Sequence, residues 1–249
     1  MMNRGRTGPN SRATAATLVI CGLMLAVWVA AAPSALAHYG DHTVGVMKVN
    51  SPGGYGTQFK IEVLQTGIDN FDINSYVRAR ASLRDFQNLP WLETGWVDYG
   101  CGGNCGGEFP PTVYTLKQAS TENWYPSYSL TLGNLYFFKV SEADTHVDSS
   151  AYIYYNGVWQ LLTSMGSPQC PCFERAGTWI NMFPIGDPSL HPALSGGIDF
   201  LQGKIKKSDN QWYQWNPTNF PESSFFYTNP YVHCFETAYY AFTVKKNTC

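Results

Sequence analysis

The chain has 249 residues, of which 44% are hydrophobic, 15% aromatic and only 14% charged, with a formal net charge of −2. It carries no basic surplus with which to displace the counterions of a nucleic acid or to seat itself on an anionic membrane, so neither partner is expected. Seven cysteines with 23 glycines and 15 prolines suit an exported, turn-rich all-β protein instead.

Taken in order, Arg4, Arg6 and Arg12 form a basic stretch without acids, Leu18 to Ala32 is apolar, and Ala35-Leu36-Ala37 has the small-x-small cleavage pattern. These predict a secretory signal peptide over residues 1–37 and a secreted single domain over residues 38–249, with His38 at its mature N-terminus. An apolar run of about 15 residues is short for a bilayer span, so no membrane association is expected after cleavage. The three arginines leave with the leader, which makes the mature chain more acidic still. Cys21 leaves too, and Cys101, Cys105, Cys170, Cys172, Cys234 and Cys249 read as three disulfides. Pairing by proximity joins 101 with 105, 170 with 172 and 234 with 249, one of many connectivities, and the bridge across Pro171 has the most strained geometry. The spacings are not those of two-residue zinc knuckles.

No convincing amphipathic helix follows residue 37. After a Ser51-Pro52-Gly53-Gly54 turn, Phe59, Ile61 and Val63 alternate with Lys60, Glu62 and Leu64, a strand pattern. From Tyr76 to Arg84 the alternation is cleaner: Val77, Ala79, Ala81 and Leu83 fall on one face, and Arg78, Arg80, Ser82 and Arg84 on the other. A row of arginines either lines a groove for anionic or hydroxyl-rich ligands or forms the solvated face of an antiparallel sheet. Leu92 to Tyr99 then places Glu93 in a run otherwise suited to a buried sheet, where a charge needs a partner or a purpose. Val97 and Tyr99 share the face of Glu93. The loop Gly100 to Gly107, with Cys101 and Cys105, predicts a rigid knob; it has no phosphate-loop motif and no helix after it.

Thr112 to Lys117, Tyr128 to Leu132 and Leu135 to Val140 read as further strands, with Trp124 and Tyr125 in the connection between the first two. Within Tyr152 to Leu162, Asn156-Gly157 between apolar arms predicts a type I′ hairpin, because both central residues need positive φ. Gly177 to Phe183, Ile198 to Ile205 and Phe235 to Val244 are the remaining predicted strands. The loop punctuated by Pro184, Gly186, Pro188 and Pro192 is long enough to be functional. The class is all-β, two antiparallel sheets packed as a sandwich.

Glu93-Thr94-Gly95-Trp96, then Gly157-Val158-Trp159, then Glu174, then Cys234 and Cys249 follow one another in an order that resembles neprosin-type glutamic peptidases and their concanavalin-like relatives. In outline the resemblance spans most of the mature domain. It implies a concanavalin-like jelly-roll sandwich, a secreted peptidase without a cofactor, and two carboxyl groups from facing strands that share a water. One acts as base and the other as acid, since neighbouring like charges drive their pKa values apart. Glu93 is one candidate. The family's second glutamate stands in Trp-Gly-Gly-Glu, a string absent here; by order its place falls to Glu174 or equally to Thr178, and with Thr178 the scaffold is non-catalytic. Arg78, Arg80, Trp96, Tyr99 and Trp124 are the candidate substrate contacts.

Two other functions fit the residue types. Glycoside hydrolysis needs a second carboxylate near the first, which the face of Glu93 does not offer. A carbohydrate- or wall-binding sandwich without catalysis is the alternative, with Trp91, Trp124, Trp212 and Trp215 as stacking rings. A third reading is copper held by the amine and imidazole of His38 with His42, and His146, His191 or His233 by type only. The expected partner is a polypeptide or polysaccharide, and the expected state a monomer.

Overall fold

The computed structural model describes residues 42–49, 54–66, 68, 76–84, 90–100, 110–118, 121–145, 147–166, 175–183, 197–227 and 231–246. Over 42–49, 84, 90–91, 175–183, 226–227, 231–237 and 246 only the backbone is described. The chain parts into two units, Met1–Tyr39 and Gly40–Cys249, and every described residue belongs to the second. The predicted leader therefore lies outside the described residues, as do Cys101, Cys105, Cys170, Cys172, Cys249 and the long proline-rich loop.

The described elements are strands: β1 His42–Val49, β2 Gly56–Glu62, β3 Tyr76–Arg84, β4 Pro90–Tyr99, β5 Thr112–Lys117, β6 Thr121–Tyr125, β7 Leu135–Glu142 and β8 Asp148–Tyr155. They continue with β9 Val158–Gly166, β10 Arg175–Phe183, β11 Ile198–Lys206, β12 Trp212–Gln214, β13 Ser223–Tyr227, β14 Tyr231–Ala238 and β15 Ala241–Lys246. They form two antiparallel sheets. One has the order β13-β1-β10-β3-β4-β5-β6, the other β14-β15-β11-β2-β7-β8-β9 with β12 beside β11. The fold is the predicted all-β jelly-roll sandwich.

The alternation read in β3 is what joins the sheets. Val77, Ala79, Ala81 and Leu83 are fully buried, as are Leu92 and Trp96 of β4, against Phe59, Ile61, Phe138 and Ile153 of the second sheet. Burial of each large side chain contributes about 1.5–3 kcal/mol. Phe59 lies edge-on to Phe200, Trp215 and Phe242, with ring centroids 5.7–6.2 Å apart. At the end of β4, Asp98 faces the same interior and accepts a hydrogen bond from the Thr66 backbone N–H at 3.1 Å.

The predicted hairpin is present: Asn156 and Gly157, with φ of 52° and 84°, join β8 to β9. Several segments differ from expectation. β1, which pairs with β10, and β13, which pairs with β1 at the edge of the first sheet, are not among the predicted strands. Tyr128 to Leu132, though alternating, is not a strand; Leu130 drops into the core, and the turn ends at Gly133, whose φ is 76° and whose N–H donates to the Val63 carbonyl at 2.7 Å. Thr121–Tyr125, read as a connection, is strand β6 paired to β5. The run from 235 to 244 is not one strand but the β14–β15 hairpin.

Candidate functional site

Residues directly paired across an antiparallel sheet share a face. On the side of the seven-stranded sheet turned away from the core, the register therefore sets one row through Ser82, Glu93, Leu116 and Glu122. A second row runs through Arg80, Gly95, Tyr114 and Trp124. Arg78 and Val97 begin a third. The arginine row of β3 is thus set against the Glu93 row of β4.

This face is not a solvated one. Glu93, Ser82 and Tyr114 have no exposed surface, and Arg80 and Arg78 are 3% and 9% exposed. The Glu93 carboxylate accepts a hydrogen bond at Oε1 from the Ser82 hydroxyl, 3.0 Å away, and at Oε2 from the Arg80 guanidinium at 2.9 Å. Both carboxylate oxygens are thereby oriented. A buried ion pair of this kind adds little net stability over an apolar pair, but removing one partner strands the other charge at a cost of about 3–5 kcal/mol. Gly95 makes the close approach possible: a Cβ there would sit 1.9 Å from the Ala79 carbonyl oxygen and 2.8 Å from the Arg80 Cα.

Toward the β6 edge the same face opens. Arg78 Nη2 donates to Glu122 Oε2 at 2.6 Å and to the Tyr99 hydroxyl at 2.9 Å. Tyr99 donates to Glu122 Oε1 at 2.6 Å, and the Trp124 indole N–H donates to the same oxygen at 2.9 Å. The Tyr99 and Trp124 rings lie 4.9 Å apart, and Trp124 is 57% exposed. The Arg78 guanidinium packs over Tyr76 at 4.1 Å and near Tyr114 at 5.2 Å.

These contacts fix the charge states. Burial alone would lower the Arg78 pKa, but Tyr114, Tyr99, Glu122 and Tyr76 around it outweigh that, so its guanidinium is held above its ordinary value. Burial raises the Tyr99 phenol, against the opposing charge of Arg78. Burial likewise raises Tyr114, with Arg80 opposing it. Both phenols stay protonated. Arg80 acts on Tyr114 electrostatically, yet among the described residues no group meets hydrogen-bond geometry with the Tyr114 hydroxyl.

Of the residues singled out from sequence, Glu93, Arg78, Arg80, Tyr99 and Trp124 come together on this one face. Trp96 does not: it projects into the core, where its indole N–H donates to the Glu62 carbonyl at 2.9 Å. Trp215 is also a core residue. Glu174 lies outside the described residues. Position 178 pairs with Ala81 and Val46, out of phase with Arg80 and Ser82, whose β10 partners are Trp179 and Gly177. His38, His146 and His191 lie outside the described residues, and His42 and His233 have backbone positions only, on β1 and β14. Cys234 is likewise placed by its backbone, opposite Thr243. Sequence reading missed Glu122 and Tyr114. The i, i+2 spacing of Glu122 and Trp124 was the available signal, hidden because the segment is too polar to read as a strand.

The fold is shared with solved glutamic peptidases. Scytalido-glutamic peptidase bound to a peptide-based transition state analog superposes with a TM-score of 0.56 at 13% identity, over 83% of this chain and 98% of that one. SCP-B, a member of the eqolisin family of peptidases, in complex with the tripeptide Ala-Ile-His, gives 0.50 at 14% identity, over 83% and 98%. No family model matches the chain, and no curated protein matches it in sequence. At such identity the likeness establishes the sandwich architecture.

Proposed function

We propose that the protein is a secreted hydrolase of the glutamic-peptidase type that cleaves polypeptide, with Glu93 as a reacting carboxylate. The observation that carries this reading is the position of Glu93: on the outer face of the seven-stranded sheet, both oxygens oriented by Arg80 and Ser82, beside a margin of Arg78, Tyr99, Glu122 and Trp124. In the proposed reaction Glu93 takes a proton from water as the water oxygen bonds to the scissile carbonyl carbon. A second carboxylic acid, for which Glu174 is the candidate, protonates the departing amine as the carbon–nitrogen bond breaks. Arg80 fixes the orientation of Glu93. Glu93 itself has no exposed surface, whereas Trp124 is exposed and meets substrate first.

The test is cleavage of a denatured polypeptide by the purified protein over a range of acid pH. Wild-type protein should cut and Glu93→Gln, shown to be folded, should not. Undiminished cleavage by that variant removes Glu93 from the chemistry.

A specific observation favours a second reading, a carbohydrate-binding sandwich without catalysis. The exposed Trp124 ring beside Tyr99, with Glu122 and Arg78 between and below them, offers a ring face together with polar groups suited to sugar hydroxyls. On that reading the protein is retained by polysaccharide and cuts nothing, and Trp124→Ala abolishes retention.

A further inference from the structure

The opposite sheet has an exposed face of its own, which the proposed hydrolysis does not use. In the eight-stranded sheet, Lys60 pairs with Phe137, Phe137 with Tyr154, and Tyr154 with Trp159, so these four form one row across β2, β7, β8 and β9. In the next row Gln58 pairs with Lys139 and Lys139 with Tyr152. The neighbouring core residues Phe59, Phe138, Val140 and Ile153 point the other way and are fully buried. Tyr154 and Trp159 remain 38% and 37% exposed, an unusual outlay of aromatic surface for a position that supports no core.

Lys60 and Lys139 are held on this face by rings, not by acids. Lys139 Nζ lies 4.1 Å from the centre of Trp159 and 4.3 Å from that of Tyr152, and Lys60 Nζ lies 5.6 Å from that of Phe137. Among the described residues no carboxylate forms an ion pair with either lysine. On the neighbouring strand β11 the buried lysine Lys206, opposite Gly56, is treated differently, bonded to Asp144 at 2.7 Å. Burial lowers the Lys139 pKa, and the charge of Lys206 lowers it further. A ligand anion would relieve both.

We propose that this face, across β2, β7, β8 and β9, binds an acidic polysaccharide, with Lys60 and Lys139 meeting its carboxylate groups and Trp159 and Tyr154 packing on its sugar rings. Two cations on adjacent strands and rings spread over three strands make an open, extended footprint. That footprint fits a chain of repeating anionic units better than one small anion. Sugar rings present C–H surfaces that complement the negative face of an aromatic ring, while their carboxylates meet the ammonium groups. The face lies on the other sheet from Glu93, so the site is independent of the proposed peptidase and gives it a means of attachment to an anionic matrix.

The test is electrophoretic mobility in native gels containing polygalacturonate, a linear uronic-acid polymer, with hydroxyethylcellulose and poly-glutamate as the neutral-glycan and anionic-peptide arms. Wild-type protein should be retarded by polygalacturonate alone. Lys139→Met keeps an unbranched stem between the rings and removes the charge; it and Trp159→Ala should each weaken binding about tenfold or more. Unchanged melting temperatures establish that both variants are folded. Equal retardation by poly-glutamate, no retardation by polygalacturonate, or wild-type binding by Lys139→Met would each overturn the proposal.

Discussion

The Arg80 guanidinium lies 2.9 Å from the Glu93 carboxylate, and the two side chains are 4% and 0% exposed. A pair so placed has two separable roles. As a structural unit it is a mutual neutralisation that apolar residues can replace, and as a chemical unit it cannot be replaced.

The structural role predicts non-additive stabilities. Arg80→Met leaves Glu93 buried without its cation and should lower unfolding free energy by about 3–5 kcal/mol. Adding Glu93→Leu should restore much of that loss, because no charge then remains to be stranded. Urea unfolding of the two single variants and the double variant reads the coupling directly; additive losses would show that the two side chains do not compensate one another.

Gly95 predicts a sharper result. Its Cβ position is blocked by backbone, not by a side chain that can turn away, so Gly95→Ala has to push β3 and β4 apart. The expected cost exceeds about 3 kcal/mol, read as a lost or much earlier unfolding transition. Wild-type stability in that variant would mean that the two strands are not so closely apposed.

Tyr114 gives a dependence on alkaline pH. Its phenol is raised above the ordinary value of 10.0 by burial, against the opposing charge of Arg80. Below pH 10 both the folded and the unfolded chain keep this proton, and the contribution to stability is complete. Above pH 10 the unfolded chain releases it and the folded chain does not, so stability falls as pH rises, by up to about 1.4 kcal/mol per pH unit from this group. Tyr114→Phe removes a buried hydroxyl that has no hydrogen-bond partner among the described residues. Its stability at neutral pH should equal wild type or exceed it by about 1 kcal/mol, with a shallower alkaline decline. A large loss at neutral pH would show that the hydroxyl is bonded.

Trp124 separates binding from folding. It is exposed and touches only Tyr99 and Glu122 among the contacts described above. Trp124→Ala should change unfolding free energy by less than about 1 kcal/mol while weakening capture of substrate, seen as a raised KM with kcat little altered. A fall in kcat at constant KM would place Trp124 in the chemical step instead.

Much of this arrangement was legible in the residues. Alternation in β3 separated Val77, Ala79, Ala81 and Leu83 from Arg78, Arg80 and Ser82, and Asn156-Gly157 fixed the hairpin, because both signals are local. What stayed hidden depends on pairing. That Ser82 and Arg80 serve Glu93 follows from the β3–β4 register, which no single strand encodes. Glu122 belongs to an edge strand that turns little surface inward, and its polar sequence gives no apolar period to detect. The β14–β15 turn at Tyr239 and Tyr240 has no Gly, Pro or Asn, so the stretch from Phe235 to Val244 has no break in its sequence and reads as one strand. Conversely Tyr128 to Leu132 alternates without being a strand: Leu130 is buried in the core, Tyr128 packs at its margin and Leu132 is exposed. Trp96 was read as a contact from its motif, but its parity on β4 is that of Leu92 and Thr94, opposite to Glu93.

The most direct test of the proposed chemistry compares kcat/KM for a denatured polypeptide between wild-type protein and the Arg80→Met/Glu93→Leu double variant, at the pH of best cleavage and with matching unfolding midpoints. The double variant keeps the packing of the face and removes its reacting group. Loss of cleavage to the uncatalysed background is the result expected. Cleavage by a folded double variant at the wild-type rate would contradict the assignment of Glu93 and leave the buried pair a structural feature alone.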